Sequence, residues 1–270
     1  MTVYQSFIVP CLGEAKKQVR SHTNTFTGII ATLVWPFLSF ISVLYTYFSF
    51  DLSFLQTYGF QSQNEFITYL VIGSLGFNCY WSMVNSALTL MHERMAGTLE
   101  IIFLSPANQL SLMYGRALGG FFQFIWIYVA FSSVLIIITN RLSIGTLLSI
   151  FLMFIVVLIS SIVWGGFINC LFILSRDSDF WFSLFNAPMD LFSGTSIPIS
   201  TFPSWAVYIS NLFPLTYSLY FMRQIFFSDN VELYRIIGFI ASLLVLVILS
   251  IIILKRANTV NKNSGGLKLY

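Results

Sequence analysis

Apolar positions along this chain gather into six long runs separated by short polar segments, and the run lengths predict membrane-crossing helices. A helix needs roughly 20 mostly apolar residues to cross a hydrocarbon layer about 30 Å thick. The stretches that reach or approach that length are 26–50, 66–91, 117–139, 142–174, 180–197 and 236–254, the last without a charge. The fourth, continued as one helix, would extend about 50 Å at 1.5 Å per residue, so it must protrude, tilt or break. Gly165 and Gly166 are its weak point, either as a hinge or as a place of close helix packing.

Three shorter segments carry a different pattern. Tyr4, Phe7, Ile8, Cys11, Leu12, Ala15 and Val19 recur every three or four positions, with Glu14, Lys16, Lys17 and Gln18 between them. This predicts a helix within residues 1–24 lying on the membrane surface, started or kinked by Pro10; the alternative is a loose basic tail. Between the second and third runs, residues 92–108 predict a helix ended by Pro106, with Met95, Leu99, Ile102 and Phe103 on one side and Glu93, Gly97 and Glu100 on another. Its acidic strip suits docking to a soluble partner, or is simply a solvated face. Before the last run, residues 198–228 are apolar but interrupted by Pro198, Pro203 and Pro214. Proline favours the first turn of a helix, so two short helices are expected to start near Pro203 and Pro214. Neither is long enough to cross, which makes the segment a candidate re-entrant gate or an amphipathic loop among the headgroups.

Composition agrees with a bilayer as solvent: 57% of the 270 residues are hydrophobic and 9% charged, against roughly 25% charged in soluble domains. The expected class is therefore an all-α membrane protein with a single transmembrane domain over residues 1–270. Lys and Arg concentrate in cytoplasmic loops. With the N-terminus inside, ten of the thirteen fall inside (Lys16, Lys17, Arg20, Arg94, Arg116, Arg176, Lys255, Arg256, Lys262, Lys268) and three outside (Arg141, Arg223, Arg235). Six spans then leave both termini cytoplasmic. The positive charges are too scattered for a nucleic-acid surface. They also follow the short N-terminal apolar stretch, unlike a cleaved signal, so insertion is expected to rely on the first span. Cys11, Cys79 and Cys170 are too few and too distant for a disulfide framework.

Candidate chemistry is sparse. The chain has no phosphate-binding loop, zinc-binding H-E-x-x-H or nucleophile elbow, so no catalytic residue and no metal site are expected. If transport uses ATP, another chain must bind it. Asp190 is the one carboxylate inside a predicted span, in the helix-disturbing sequence NAPMDLFSG with Asn186. A charge at the bilayer centre costs about 2.5–3.5 kcal/mol, so Asp190 is either structurally paired or part of a pathway. Asn78, Asn85, Gln123 and Asn169 are single amides whose ordinary role is hydrogen bonding between helices.

Two stretches carry a family resemblance. ERMAGTLEIIFLSPANQLSLMYGRAL resembles the E-x-x-x-G-T-x-E…(S/T)P…G-(K/R/E) loop of type 2 ABC exporter permeases, through Glu93, Gly97, Thr98, Glu100, Ser105, Pro106, Gly115 and Arg116. LFSGTSIPISTFPSWAVYISNLFPLTYSLYFMRQIF is similar to that family's F-S-G…P-x-x-x-(L/F)-P-x-W…x-P-L-T-(Y/H) segment before the last span. The resemblance implies a dimer of membrane subunits, homomeric or heteromeric, in a cell membrane and energised by two cytoplasmic ATPase subunits. ATP and Mg²⁺ would sit on the ATPases, with no cofactor on this chain. It implies that Glu93, Arg94, Gly97, Thr98, Glu100, Ser105 and Pro106 couple to the ATPase. Asn85, Asn169, Asn186 and Asp190 are the candidate substrate pathway; Phe192, Pro198, Pro203, Trp205, Pro214 and Tyr217 are the candidate outer gate. The family exports drugs, peptides, lipids and lipid-linked glycans, and the abundance of Phe suits an amphipathic or hydrophobic cargo. The rival reading is an ATP-independent secondary transporter or channel built on Asp190.

Overall fold

The structure is a computed structural model that describes residues 4–22, 26–48, 60, 62–95, 107–140, 143–174, 178–227 and 232–263. Among these residues the regular structure is entirely helical. A wide turn at Tyr4–Ile8 leads into α1 (Val9–His22), followed by α2 (Phe26–Phe48), α3 (Gln63–Met95), α4 (Gln109–Leu118), α5 (Phe121–Thr139), α6 (Ile144–Leu174), α7 (Ser178–Phe192), α8 (Ser204–Ser210), α9 (Pro214–Phe227) and α10 (Leu233–Asn263).

Four of the described stretches are long and apolar enough to cross a membrane: Gln63–Leu88, Gln109–Thr139, Ile144–Ile173 and Leu233–Ala257. Their burial orders them from axis to rim. In α3, 78% of the most apolar window is buried, against 11% in α10, although α3 is the least apolar of the four. A helix enclosed by protein can carry Ser, Thr and Asn, whereas one facing lipid must be apolar throughout. Accordingly Leu70, Val71, Ile72, Leu75, Tyr80 and Met83 of α3 are almost wholly enclosed, while Ile237, Leu244, Val245 and Ile248 of α10 lie more than half exposed.

Small residues set the closest approaches. Gly73 of α3 abuts the carbonyl of Thr195, and Gly120 abuts that of Ser82, each leaving no room for a Cβ. Gly165 and Gly166 do not break α6: a Cβ on Gly165 would stand 2.8 Å from the Met83 carbonyl oxygen, and one on Gly166 2.8 Å from the Tyr114 ring. Of the two roles open to that pair, α6 uses close packing. Matched contacts give the helix directions. Met83 with Gly165 and Ser86 with Asn169 make α3 and α6 parallel; Gly73 with Thr195 and Trp81 with Phe182 set the 178–195 segment antiparallel to α3. Aromatic contacts tie α2 to α5, as where Phe37 stacks on Phe131, 5.3 Å between centroids.

Three boundaries differ from the hydropathy pattern. The third apolar run is preceded by a separate helix, α4, which turns through Gly119 and Gly120 into α5. The second does not stop at 91: α3 continues to Met95, so Glu93 and Arg94 belong to its last turn. The fifth ends at Phe192, five residues early. Gly194 then takes a left-handed φ of 78°, which glycine adopts without steric cost. At 15 residues, α7 is about 22 Å long, shorter than the hydrocarbon layer. After it, α8 and α9 begin at Ser204, directly after Pro203, and at Pro214, as the proline spacing predicts.

Candidate functional site

At one end of α3 a charge cluster fastens three helices together. Arg116, in the last turn of α4, is completely buried. Its guanidinium lies 3.1 Å from Glu14 of α1 and also contacts Glu93 in the last turn of α3. Lys17 adds a contact of 2.7 Å to Glu93 and one of 3.5 Å to Glu14, and Gln18 donates to Glu14 at 3.0 Å. Two carboxylates and two cations make the cluster neutral.

The members are unequal. The Lys17 side chain is 46% exposed and those of Glu14 and Glu93 are 6% and 16% exposed, so solvent screens the lysine contacts while Arg116 compensates two carboxylates largely removed from water. Burial pushes the Glu93 carboxyl up, but Arg116 and Lys17 outweigh it and hold Glu93 below its ordinary value.

Local sequence explains why α1 docks so closely. Gly115 meets the backbone of Cys11 and Gly119, one turn later, meets Gln18; neither leaves space for a side chain. This G-x-x-x-G spacing puts both glycines on one helix face, and Ser111 on the same face donates to the Phe7 carbonyl. The stripe of α1 that packs inward is Cys11, Glu14 and Gln18, whereas Ile8, Val9 and Leu12 are exposed. The pattern reading placed Glu14 and Gln18 on the polar, outward side. Their burial corrects it, because Arg116 supplies the compensation that makes an enclosed carboxylate tolerable. A second small core of Leu112, Met113, Cys170, Ile173, Leu254 and Ala257 ties α4 to α6 and α10 beside the cluster.

Of the candidate coupling residues, Glu93 is therefore turned toward Arg116 and Lys17. Arg94 lies on the final turn of α3, and Gly97, Thr98, Glu100, Ser105 and Pro106 lie outside the described residues. The chain re-enters the described region at Ala107, where the Asn108 side chain caps α4 by accepting from the Leu110 amide at 3.0 Å.

The candidate pathway residues do not converge. Asn169 is buried and donates to the Gly165 carbonyl at 2.8 Å and to Ser86 at 3.5 Å, an interhelical link. Trp81 and Phe182 touch at 4.5 Å. Because their segments run in opposite directions, half-buried Asn85 and Asn186, each four residues on, fall to opposite sides of that contact. Asp190 is exposed, in the last turn of α7 rather than deep in a span, and accepts from the Thr195 hydroxyl at 2.9 Å. The early end of α7 is the reason.

Among the candidate gate residues, Phe192 packs on Trp205 at 6.0 Å and on Phe202 at 6.4 Å. Pro198 precedes the short turn Ile199–Thr201, and Pro203 and Pro214 start their helices. Tyr217 is elsewhere, against Phe239 and Gly238 of α10. The segment is anchored by Arg223, counted above among the outside charges but given no role: it stacks 3.4 Å over the Tyr69 ring and donates to the Gly194 carbonyl at 2.8 Å, which also accepts from the Tyr69 hydroxyl at 2.9 Å. Its charge is structural at this place. In the sequence Arg116 stands both among the inside basic residues and as the last matched position of the resembling loop, and Gly115 and Gly120 on either side of it leave no room for a Cβ.

The fold and its apolar surface define a helical membrane protein with four candidate spanning segments. No protein-family model matches the chain, and no curated protein matches it.

Proposed function

We propose that this chain is the membrane-spanning permease of an ATP-driven exporter in a cell membrane, working as a pair of membrane subunits with two separate ATPase subunits. The observation that carries the reading is the buried Glu14–Arg116–Glu93 cluster at the base of the segment joining α3 to α4. A force applied to that segment would reach α3, α4 and α1 together, because their ends are ion-paired and closely packed. That is the mechanical requirement for coupling an external ATPase to the central helix of a bundle, and it coincides with the stretch whose sequence resembles the coupling loop of type 2 ABC exporters.

In this reading α2 and α7 complete six membrane elements. Exposed Ile8, at the end of the first turn, and Val9 and Leu12 of α1 rest in the cytoplasmic headgroup layer, and Phe192, Phe202 and Trp205 close the far side. The cargo class is an amphipathic or hydrophobic molecule: drug, peptide, lipid or lipid-linked glycan. Conformational change requires that the ATP-bound ATPases bind the coupling segment differently in the two states. With Arg116 and Glu93 occupied by each other, Glu100 is the acidic residue assigned to the ATPase contact, and Glu93 acts as a positioning residue.

Affinity purification of the chain from its own membranes in mild detergent tests the reading. An ATP-binding-cassette protein should accompany it in equal amount and be lost from the Glu100→Lys variant while α1 stays docked. Recovery of the chain without an ATPase, in a form that moves solutes across liposomes unaided by ATP, would defeat it.

A further inference from the structure

α1 lies against α4 by the stripe Cys11, Glu14 and Gln18, which leaves its opposite face exposed. Val9, Leu12, Lys16 and Arg20 follow one another along that face and are all exposed, since residues three and four apart stack on one side of a helix. Apolar and charged residues are divided along the helix rather than around it, with Val9 and Leu12 in its first half and Lys16 and Arg20 in its second. The single carboxylate of α1, Glu14, is on the buried side and is spent on Arg116. Lys17 is turned to Glu14 and Glu93, whereas Lys16 and Arg20 make no ion pair among the described residues. The exposed face is thus apolar and then purely cationic.

The helices around α1 set its level. The candidate span of α10 runs to Ala257, and Leu254 and Ala257 at its end pack with Leu112 and Met113 of α4. Gly115 and Gly119 of the same short helix receive Cys11 and Gln18 of α1. α1 therefore lies beside the end of a spanning segment, where acyl chains meet headgroups. At that level the apolar half of its face suits acyl chains and the cationic half suits phosphates. Lys16 and Arg20 are one turn apart, close enough to share one phosphate. Arginine can meet it with two parallel N–H···O bonds, and lysine adds a point charge. A zwitterionic headgroup would bring its own cation to a face with no free carboxylate, so a headgroup of net negative charge is selected.

We propose that the exposed face of α1 seats an anionic membrane lipid, its phosphate held by Lys16 and Arg20 and the start of its acyl chains against Val9 and Leu12. The inference rests on the surface placement of α1 in the reading above and on no ATPase contact.

The test uses the purified full chain, without any ATPase, in phosphatidylcholine vesicles. These carry the same small share of photoactivatable phosphatidylglycerol or photoactivatable phosphatidylcholine with matched acyl chains. Mass spectrometry then maps the crosslinks to residues 8–20. Phosphatidylglycerol should label that stretch over phosphatidylcholine by on the order of twentyfold, about fivefold for each cation near the anionic headgroup. Lys16→Gln and Arg20→Gln together should bring the ratio to about one, and either alone to about fivefold. Gln matches Lys and Arg in helix propensity and the Glu14–Arg116 pair is untouched, so α1 stays docked. Hydrogen-exchange protection of residues 9–22 in detergent verifies the docking. Lys255→Gln with Arg256→Gln, which removes as much exposed charge from the same end of the bundle, should leave the ratio on α1 unchanged. Equal labelling of the unmodified chain by the two lipids, an undiminished ratio in the docked double variant, or an equal fall on changing Lys255 and Arg256 would overturn the assignment. Labelling by neither lipid would mean that the face meets water or a soluble protein, and would overturn it as well. With no ATPase present, none of these outcomes bears on how transport is energised, and a chain that moved solutes without ATP would still show the preference.

Discussion

Replacing Arg116 with Met leaves Glu14 and Glu93 facing each other, 6% and 16% exposed, with the solvent-exposed Lys17 as the cation among the described residues beside them. Removing one partner of a buried ion pair typically costs about 3–5 kcal/mol, because a charge stays enclosed without compensation. Met matches the arginine stem in length, so lost packing contributes little and the electrostatic penalty dominates. The weakest attachment that can relieve it is α1, which can swing away and hydrate both carboxylates. Hydrogen–deuterium exchange over residues 9–22 in detergent reads this opening. A cost of about 3 kcal/mol corresponds to roughly a hundredfold loss of protection. The charge-free combination of Glu14→Gln, Glu93→Gln and Arg116→Met should recover most of the protection, since replacing all members of a buried ionic group is often neutral. Unchanged exchange in the single variant, or a combined variant as loose as the single one, would refute the account of how α1 is held.

Other consequences follow from the same contacts. Because Glu93 is held below its ordinary value of 4.5, its contribution to α1 docking is present above that value and lost as pH falls through the lower folded one; protection of residues 9–22 should be flat from about pH 5.5 to 8 and decline below about pH 4.5. Gly120→Val places a branched side chain on the Ser82 carbonyl and should cost about 3 kcal/mol by overpacking, seen as loss of monodisperse protein on size exclusion. Gly13→Ala, where a Cβ meets nothing within 4 Å, should instead raise thermal stability slightly, by about 0.5–1 kcal/mol. Asp190→Asn keeps an acceptor for Thr195 and should change transport less than about twofold; a carrier driven through that carboxylate would lose it.

Where backbone chemistry dictates the structure, the sequence was readable. Pro203 and Pro214 announce α8 and α9 because proline is suited to a first turn, and the last apolar run becomes α10, the least buried of the four candidate spans. The end of α7 lies inside the fifth run because that run is carried on to Ile197 across Ser193, Gly194, Thr195 and Ser196, small residues among which Gly194 makes the turn that ends the helix. Glu14 was assigned to the polar side of α1 on its own chemistry. Only the partner 102 positions away, Arg116, reverses that, and a pattern along one helix cannot contain it. Gly115 and Gly120 hold part of the missing information, since each marks a place where another backbone leaves no room for a Cβ. The candidate pathway failed to assemble for a related reason: amides at Asn85 and Asn186 lie on neighbouring helices, but opposite helix directions carry them apart.

The proposed source of this chain's energy is a pair of ATPase subunits bound at the segment between α3 and α4. Native mass spectrometry of the complex isolated from its own membranes addresses that directly, by composition. The account predicts an assembly of two membrane subunits and two ATP-binding-cassette subunits that hydrolyses ATP in the presence of Mg²⁺ and falls to membrane subunits alone in the Glu100→Lys variant. A membrane subunit found without ATPases, carrying out transport driven by an ion gradient, would contradict it.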